Sequence, residues 1–168
     1  AGRIIRMSVL DIPSLPAVNG TPALSAGAPL GAFIDLPKGE SVLCLTPLES
    51  GIALATRSGV VKRVQPDALT NKDSWDIIRL DDKDEVIGAA ALDEATAESA
   101  ELVLITAQAQ LLHFPASAVR PQGRAAGGMA GIKLGKGDSV LGFSVVTDPA
   151  QACVVTIAGS SSALPGTD

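Results

Sequence analysis

The chain has 168 residues, 46% of them hydrophobic but only 2% aromatic, and a formal net charge of −5. That length supports one domain with a real core, and the composition requires that core to be built from Val, Ile, Leu and Ala. No apolar run approaches the ~20 residues of a membrane helix, and an acidic balance counts against nucleic-acid binding unless something local overturns it.

In chain order, AGRIIRMSVLDIP lacks the apolar block and small-residue cleavage site of a signal peptide. Its Arg3 and Arg6 bracket a short apolar strand. Residues 11–30, rich in Pro, Ala and Gly, read as an insertion-like loop. IALATRSGVVKRV at 52–64 reads as a β-hairpin with its turn at Ser58-Gly59, and its second strand ends in the basic pair Lys62-Arg63. DEATAESAE at 93–101 reads as an acidic linker whose charge is a solvated surface. LVLITAQAQLLHF at 102–114 is a second hairpin, and CVVTIAGSSSALP at 153–165 resembles the first half of another. Cys44 and Cys153 both lie in apolar runs and read as reduced core residues rather than a bridge, which suggests a cytoplasmic protein.

Three further stretches align: AFIDLPKGESVLCL at 32–45, DIIRLDDKDEVIGA at 76–89 and AGIKLGKGDSVLGF at 130–143. Each reads Ile-x-Leu, a polar turn, an acid (Glu40, Asp84, Asp138) and an apolar strand. The hairpins repeat with them. A unit therefore holds an apolar strand, a hairpin partner with a basic rim, an Ile-x-Leu return strand and a final apolar strand. Four strands in roughly 45–50 residues is the period of a propeller blade. A β-solenoid is the alternative. The units run at about 1–48, 49–98 and 99–149, with a partial one at 150–168, so the chain reads as a piece of about three blades, open at both ends.

LATRSGVVKRV at 54–64 and GRAAGGMAGIKLGKGDSVLGF at 123–143 resemble, in order and spacing, the repeat of the C-terminal domain of the A subunit of bacterial type IIA topoisomerases, that is, gyrase and topoisomerase IV. The resemblance covers nearly the whole chain. It implies an all-β fold, a β-pinwheel of propeller-like four-stranded blades that exchange strands with their neighbours, with duplex DNA bent around the outer rim. It implies no cofactor in this domain, with Mg and ATP used on other domains of the parent enzyme. The implied partners are double-stranded DNA without sequence preference, the ATPase B subunit, the rest of the A subunit, and no membrane. The gyrase box, Gln-Arg-Arg-Gly-Gly-Lys-Gly, is degenerate here: Gln122-Gly123-Arg124-Ala125-Ala126-Gly127-Gly128 keeps Gln, one Arg and the last Gly. That fits topoisomerase IV or a non-leading gyrase blade, and the Ala-rich, Lys-poor composition resembles actinobacterial members.

Strand cleavage in that family uses a Tyr nucleophile, and this chain has no Tyr. No other nucleophile constellation stands out. One His and two distant Cys do not make a metal cluster. GKGD at 135–138 is not a phosphate loop, because Ala130 and Gly137 stand where that motif needs Gly and Ser or Thr. What remains is electrostatic: Arg3, Arg6, Arg57, Lys62 and Arg63 on the hairpins, Arg79 and Lys133 on the return strands, and Arg120, Gln122 and Arg124 in or beside the box-like loop. Gly127 and Gly128 either admit a phosphate to the backbone or form a plain tight turn. Neighbours on a strand face opposite ways, so Lys62 and Arg63 divide, one toward DNA and one toward an acid. His113, which aligns with Arg63, is a weak phosphate contact or a rim residue. Glu40, Asp84 and Asp138 are expected to cap turns, and Trp75 to pack against a neighbouring blade. The rival reading is a protein-interaction propeller fragment that binds no DNA.

Overall fold

The period-two alternation of small and branched apolar residues sets the strands and sends their side chains to two cores. The computed structural model describes residues 2–14, 20, 27–47, 49–65 and 72–156. Its strands are β1 (Arg3–Ile5), β2 (Ile52–Thr56), β3 (Val60–Val64), β4 (Ser74–Asp76), β5 (Val86–Ala91), β6 (Glu101–Thr106), β7 (Leu111–Pro115), β8 (Pro121–Gln122), β9 (Met129–Ala130) and β10 (Val140–Val146), with one short helix, α1 (Glu94–Ala97). The chain is all-β. Strand β2 is buried on both faces: Ala53 and Ala55 join a core with Leu102, Leu104 and Val140, while Leu54 joins Trp75, Ile77 and Ile78. Much of the 11–30 loop, residues 66–71 and the end of the partial fourth unit lie outside the described residues.

The sheets show how the units interlock. The second unit runs β5-β2-β3, and β3 is then covered by β8, parallel, and β9, antiparallel, both from the third unit. The third unit runs β10-β6-β7. One unit earlier, β4 pairs with β1 so that Trp75 faces Ile4, the counterpart of Met129 facing Val61. The backbone carbonyl of Gly2 accepts from Ile77 N as that of Gly59 accepts from Gly131 N. At β1 and β3 the hairpin's second strand is thus completed by a short strand of the unit that follows, which is the exchange of a β-pinwheel.

Four expectations need correction. The Ile-x-Leu segments are not strands; the exchanged strands lie just before them, at β4 and β9, and Ile78 packs into the core as an irregular segment. The stretch 41–45 forms no strand and leaves Val42 and Leu43 exposed; among the described residues no strand pairs with it as β2 pairs with β5. Residues 93–101 are not a bare linker: Asp93 caps α1 by accepting from Thr96 N, and Ala97 and Ala100 are buried. Cys153 is also exposed rather than in the core, and both cysteines are free.

Candidate nucleic-acid interface

The basic pair on β3 does divide between two faces, but neither head reaches solvent. Lys62 is fully buried, and its ammonium donates to the carbonyls of Ile77 at 2.6 Å, Ala126 at 2.7 Å and Arg124 at 3.0 Å. An ammonium has three donors, and here all three are used. Burial pushes the Lys62 ammonium below the ordinary lysine value. Arg63 turns the other way, donating to the carbonyls of Ala116 and Val119 and pairing with Glu94 at 3.3 Å. Lys62 and Arg63 are therefore removed from the set of DNA contacts. A charge taken out of water is tolerated only when paired or hydrogen-bonded, and the carbonyls that satisfy these two come mainly from the third unit.

Other candidates are held in exposed or half-buried ion pairs. Arg3 pairs with Glu40 at 2.9 Å, Arg6 with Asp73 at 2.9 Å, and Arg57 with Glu85. Glu40 thus holds an arginine rather than a turn. His113, exposed on β7, has its Nδ1 2.5 Å from a Glu101 carboxylate oxygen, so it is a hydrogen-bond partner at the rim. Surface pairs of this kind contribute little to stability.

A cluster remains around the box-like loop. Gln122 Oε1 accepts from Gly128 N at 3.2 Å and closes the loop, and Lys62 holds its carbonyls from beneath. Arg79 N donates to the Ala126 carbonyl, so the loop lies against the Ile77–Arg79 segment. A crevice of about 230 Å³ opens where Arg79, Leu80 and Asp84 meet Gly127 and Gly128. Arg79, Arg120, Arg124 and Lys133 are all exposed. Among the described residues, no hydrogen bond or ion pair engages the side chains of Arg79, Arg120 or Lys133. Gly128, at φ +86°, is a turn pressed on its own chain rather than a phosphate seat: a Cβ there would meet Val60 Cγ1 at 2.6 Å and the Val61 carbonyl at 2.8 Å. Four exposed lysines, Lys38, Lys72, Lys83 and Lys136, escaped the sequence reading, and the last two lie close to the hairpin turns. Both stand in the turn ahead of a capping acid, and Lys83 takes the positive φ that glycine takes at 39 and 137.

The acids behave as expected at two of three places. Asp84 accepts from Ser58 N at 3.0 Å and Ser58 Oγ at 2.5 Å, and Asp138 from Gln108 N at 3.0 Å, so each caps its unit's hairpin turn. Asp138 Oδ2 has no partner among the described residues, because Gln108 stands where Ser58 supplies a hydroxyl. Burial alone would raise the Asp84 carboxyl, but hydrogen bonds from Ser58, Thr56 and Glu85 outweigh it and hold the group below the usual range. A carboxylate depressed on folding stabilises above its unfolded value, about 3.9, and loses that contribution as pH falls through the folded value. Asp84→Asn is therefore expected to unfold at a lower temperature than the parent at pH 7. Thermal scans down the pH scale should show the gap closing below about pH 4.

The matches with known proteins agree with this geometry. Residues 77–93 and 100–147 match the family model described as DNA gyrase C-terminal domain, beta-propeller. The chain belongs to that family. The DNA gyrase A subunit of Salmonella typhimurium is 31% identical over 163 residues, and that of Staphylococcus epidermidis 29% over 164; each alignment takes in 93% of this chain. The chain spans only 17% of either relative's length. Among solved structures, the C-terminal domain of DNA topoisomerase IV superposes with TM-score 0.61 at 23% identity, over 73% of this chain and 39% of that one. The DNA gyrase A C-terminal domain gives 0.56 at 22%, over 70% and 40%. These gyrase-type C-terminal domains share the fold, and the strand exchange places the box-like loop on the seam between two blades. Among the described residues there is no helix long and apolar enough to cross a membrane and no group of three or more metal-ligating side chains.

Proposed function

We propose that the chain is the non-catalytic DNA-binding and DNA-bending module of a type IIA topoisomerase A subunit, cytoplasmic, working with an ATPase B subunit in the parent enzyme. It would hold a duplex by its phosphates and steer the transported segment. ATP and Mg chemistry, and the tyrosine that cuts the strand, belong to other domains of the parent. The observation that carries the reading is the exposed set Arg79, Arg120 and Lys133, none of them engaged by a described acid, beside the loop that bears Arg124. Many of the acids that make the chain negative are instead committed to turn caps and ion pairs. Cations so placed neutralise phosphates without reading bases, and the duplex contributes its own deformability.

Titration of labelled linear duplexes of unrelated sequence, at 50 and 200 mM salt, tests this. The parent chain should bind both sequences alike and weaken steeply with salt. Arg79→Glu with Lys133→Glu should weaken both equally and flatten the logarithmic salt slope by about 1 for each phosphate no longer neutralised. Absence of binding at 50 mM salt would leave a protein-interaction module as the reading.

A further inference from the structure

We infer that Lys62, which cannot itself touch DNA, is the positioning residue of the DNA-facing loop. This inference rests on the proposed function for its second half only. Lys62 belongs to the second unit, yet two of its three carbonyl partners, Arg124 and Ala126, belong to the third unit's box-like loop; the remaining one, Ile77, begins the segment that carries Arg79. One ammonium thus fixes two chain segments, each presenting an exposed arginine, at a common point. Gln122 closes the same loop from its other end through Gly128 N. Gly128 lets the loop lie close over β3, and the carbonyl contacts set how close, because a hydrogen bond to an ammonium fixes the distance of each acceptor to about 3 Å.

The sequence of the neighbouring units agrees. The counterpart of Lys62 is Ile5 in the first unit, and the stretch that follows into the second, TNKDSWD, has no Gly-Arg-x-x-Gly-Gly. In the third unit the counterpart is Leu112. An aliphatic side chain cannot gather carbonyls. Within this chain the lysine of one unit and the glycine-arginine loop of the next occur together, at the one seam where the structure joins them.

The test has two readouts. Trypsin cuts after Arg124 when the loop opens, so the rate of that cleavage, with amide exchange of residues 122–128, reports the clasp without any DNA. Lys62→Met should speed both by at least about tenfold over the parent chain under conditions where circular dichroism shows both folded. Gln122→Ala, which removes only the far closure, should speed them by a smaller factor and covers the case in which Lys62→Met does not fold. Lys62→Gln, which keeps two donors, should recover part of the protection. Unchanged cleavage in both Lys62→Met and Gln122→Ala would overturn the clasp.

On a linear duplex at 50 mM salt, Lys62→Met should bind about fivefold or more weakly with a flattened salt slope. In an Arg79→Ala, Arg124→Ala background the same change should cost no further affinity. A residue that merely stabilised the fold would cost the same in both backgrounds. A loosened loop with unchanged affinity would overturn the positioning role. If the parent chain itself binds no duplex, the DNA-binding reading fails while the cleavage result still decides the clasp.

Discussion

Lys62→Met is expected to destabilise the fold by about 2–4 kcal/mol, read as a shift of the urea or thermal midpoint. The volume of the side chain is nearly kept, so the loss does not come from a cavity. It comes from the acceptors. The Ala126 carbonyl keeps Arg79 N at 3.3 Å, whereas the Ile77 and Arg124 carbonyls give up the ammonium that each accepts from. A buried acceptor stripped of its donor costs about 1–3 kcal/mol. Removing the ammonium also removes its desolvation cost, which is why the figure stays below the sum. Arg6→Ala is the control for a basic residue whose head is exposed. It stands where Arg63 does one unit earlier, but its pair with Asp73 is exposed, and its loss should fall below about 1 kcal/mol. A flat response at Lys62 would mean that the three carbonyls find water when the lysine is gone.

Gly128→Ala is the second large effect, about 3 kcal/mol, the sum of a backbone and a steric penalty. A residue with a Cβ at φ +86° bears the left-handed penalty of about 1–2 kcal/mol. The new methyl would also sit 2.8 Å from the Val61 carbonyl and 2.6 Å from Val60 Cγ1, so β3 must move or the loop must lift, and overpacking of this kind costs about 1–3 kcal/mol. Gly123→Ala, with nothing within 4 Å of the added carbon, should change stability little. The contrast between two glycines of one loop, measured by the same chemical melt, separates steric demand from general loop rigidity.

Much of this fold was legible because it repeats. Period-two alternation located β2, β3, β6 and β7, and the matching of Ile34, Ile78 and Ile132 exposed the units. The turn-capping roles of Asp84 and Asp138 followed from their place in the repeat. What could not be read was depth. In sequence, Lys62 and Arg63 are a basic pair on a strand, and cations on strands of exposed sheets point outward. Their burial depends on β8, β9 and the 116–119 turn of another unit arriving on the strand, a long-range event that no local pattern encodes. The Ile-x-Leu misassignment has a similar cause: a β-rich stretch forms a ladder only where a partner edge is free, and here the exchanged strand ahead of it takes the place. Arg79, Arg120 and Lys133 survived as candidates because nothing described folds over them.

The strand exchange carries a consequence for how such a chain could grow or be trimmed. By sequence the second unit ends near residue 98, yet its sheet ends at residues 121–130. A cut at the repeat boundary would strip the covering strands from β3 and leave a buried lysine and arginine pointing at departed acceptors. The segment that folds is therefore out of phase with the segment that recurs, and copying one repeat yields a part that is complete only in company. Lengthening or shortening the array without collapse requires gene breakpoints displaced from the visible period, between a closing strand and the next hairpin's cover.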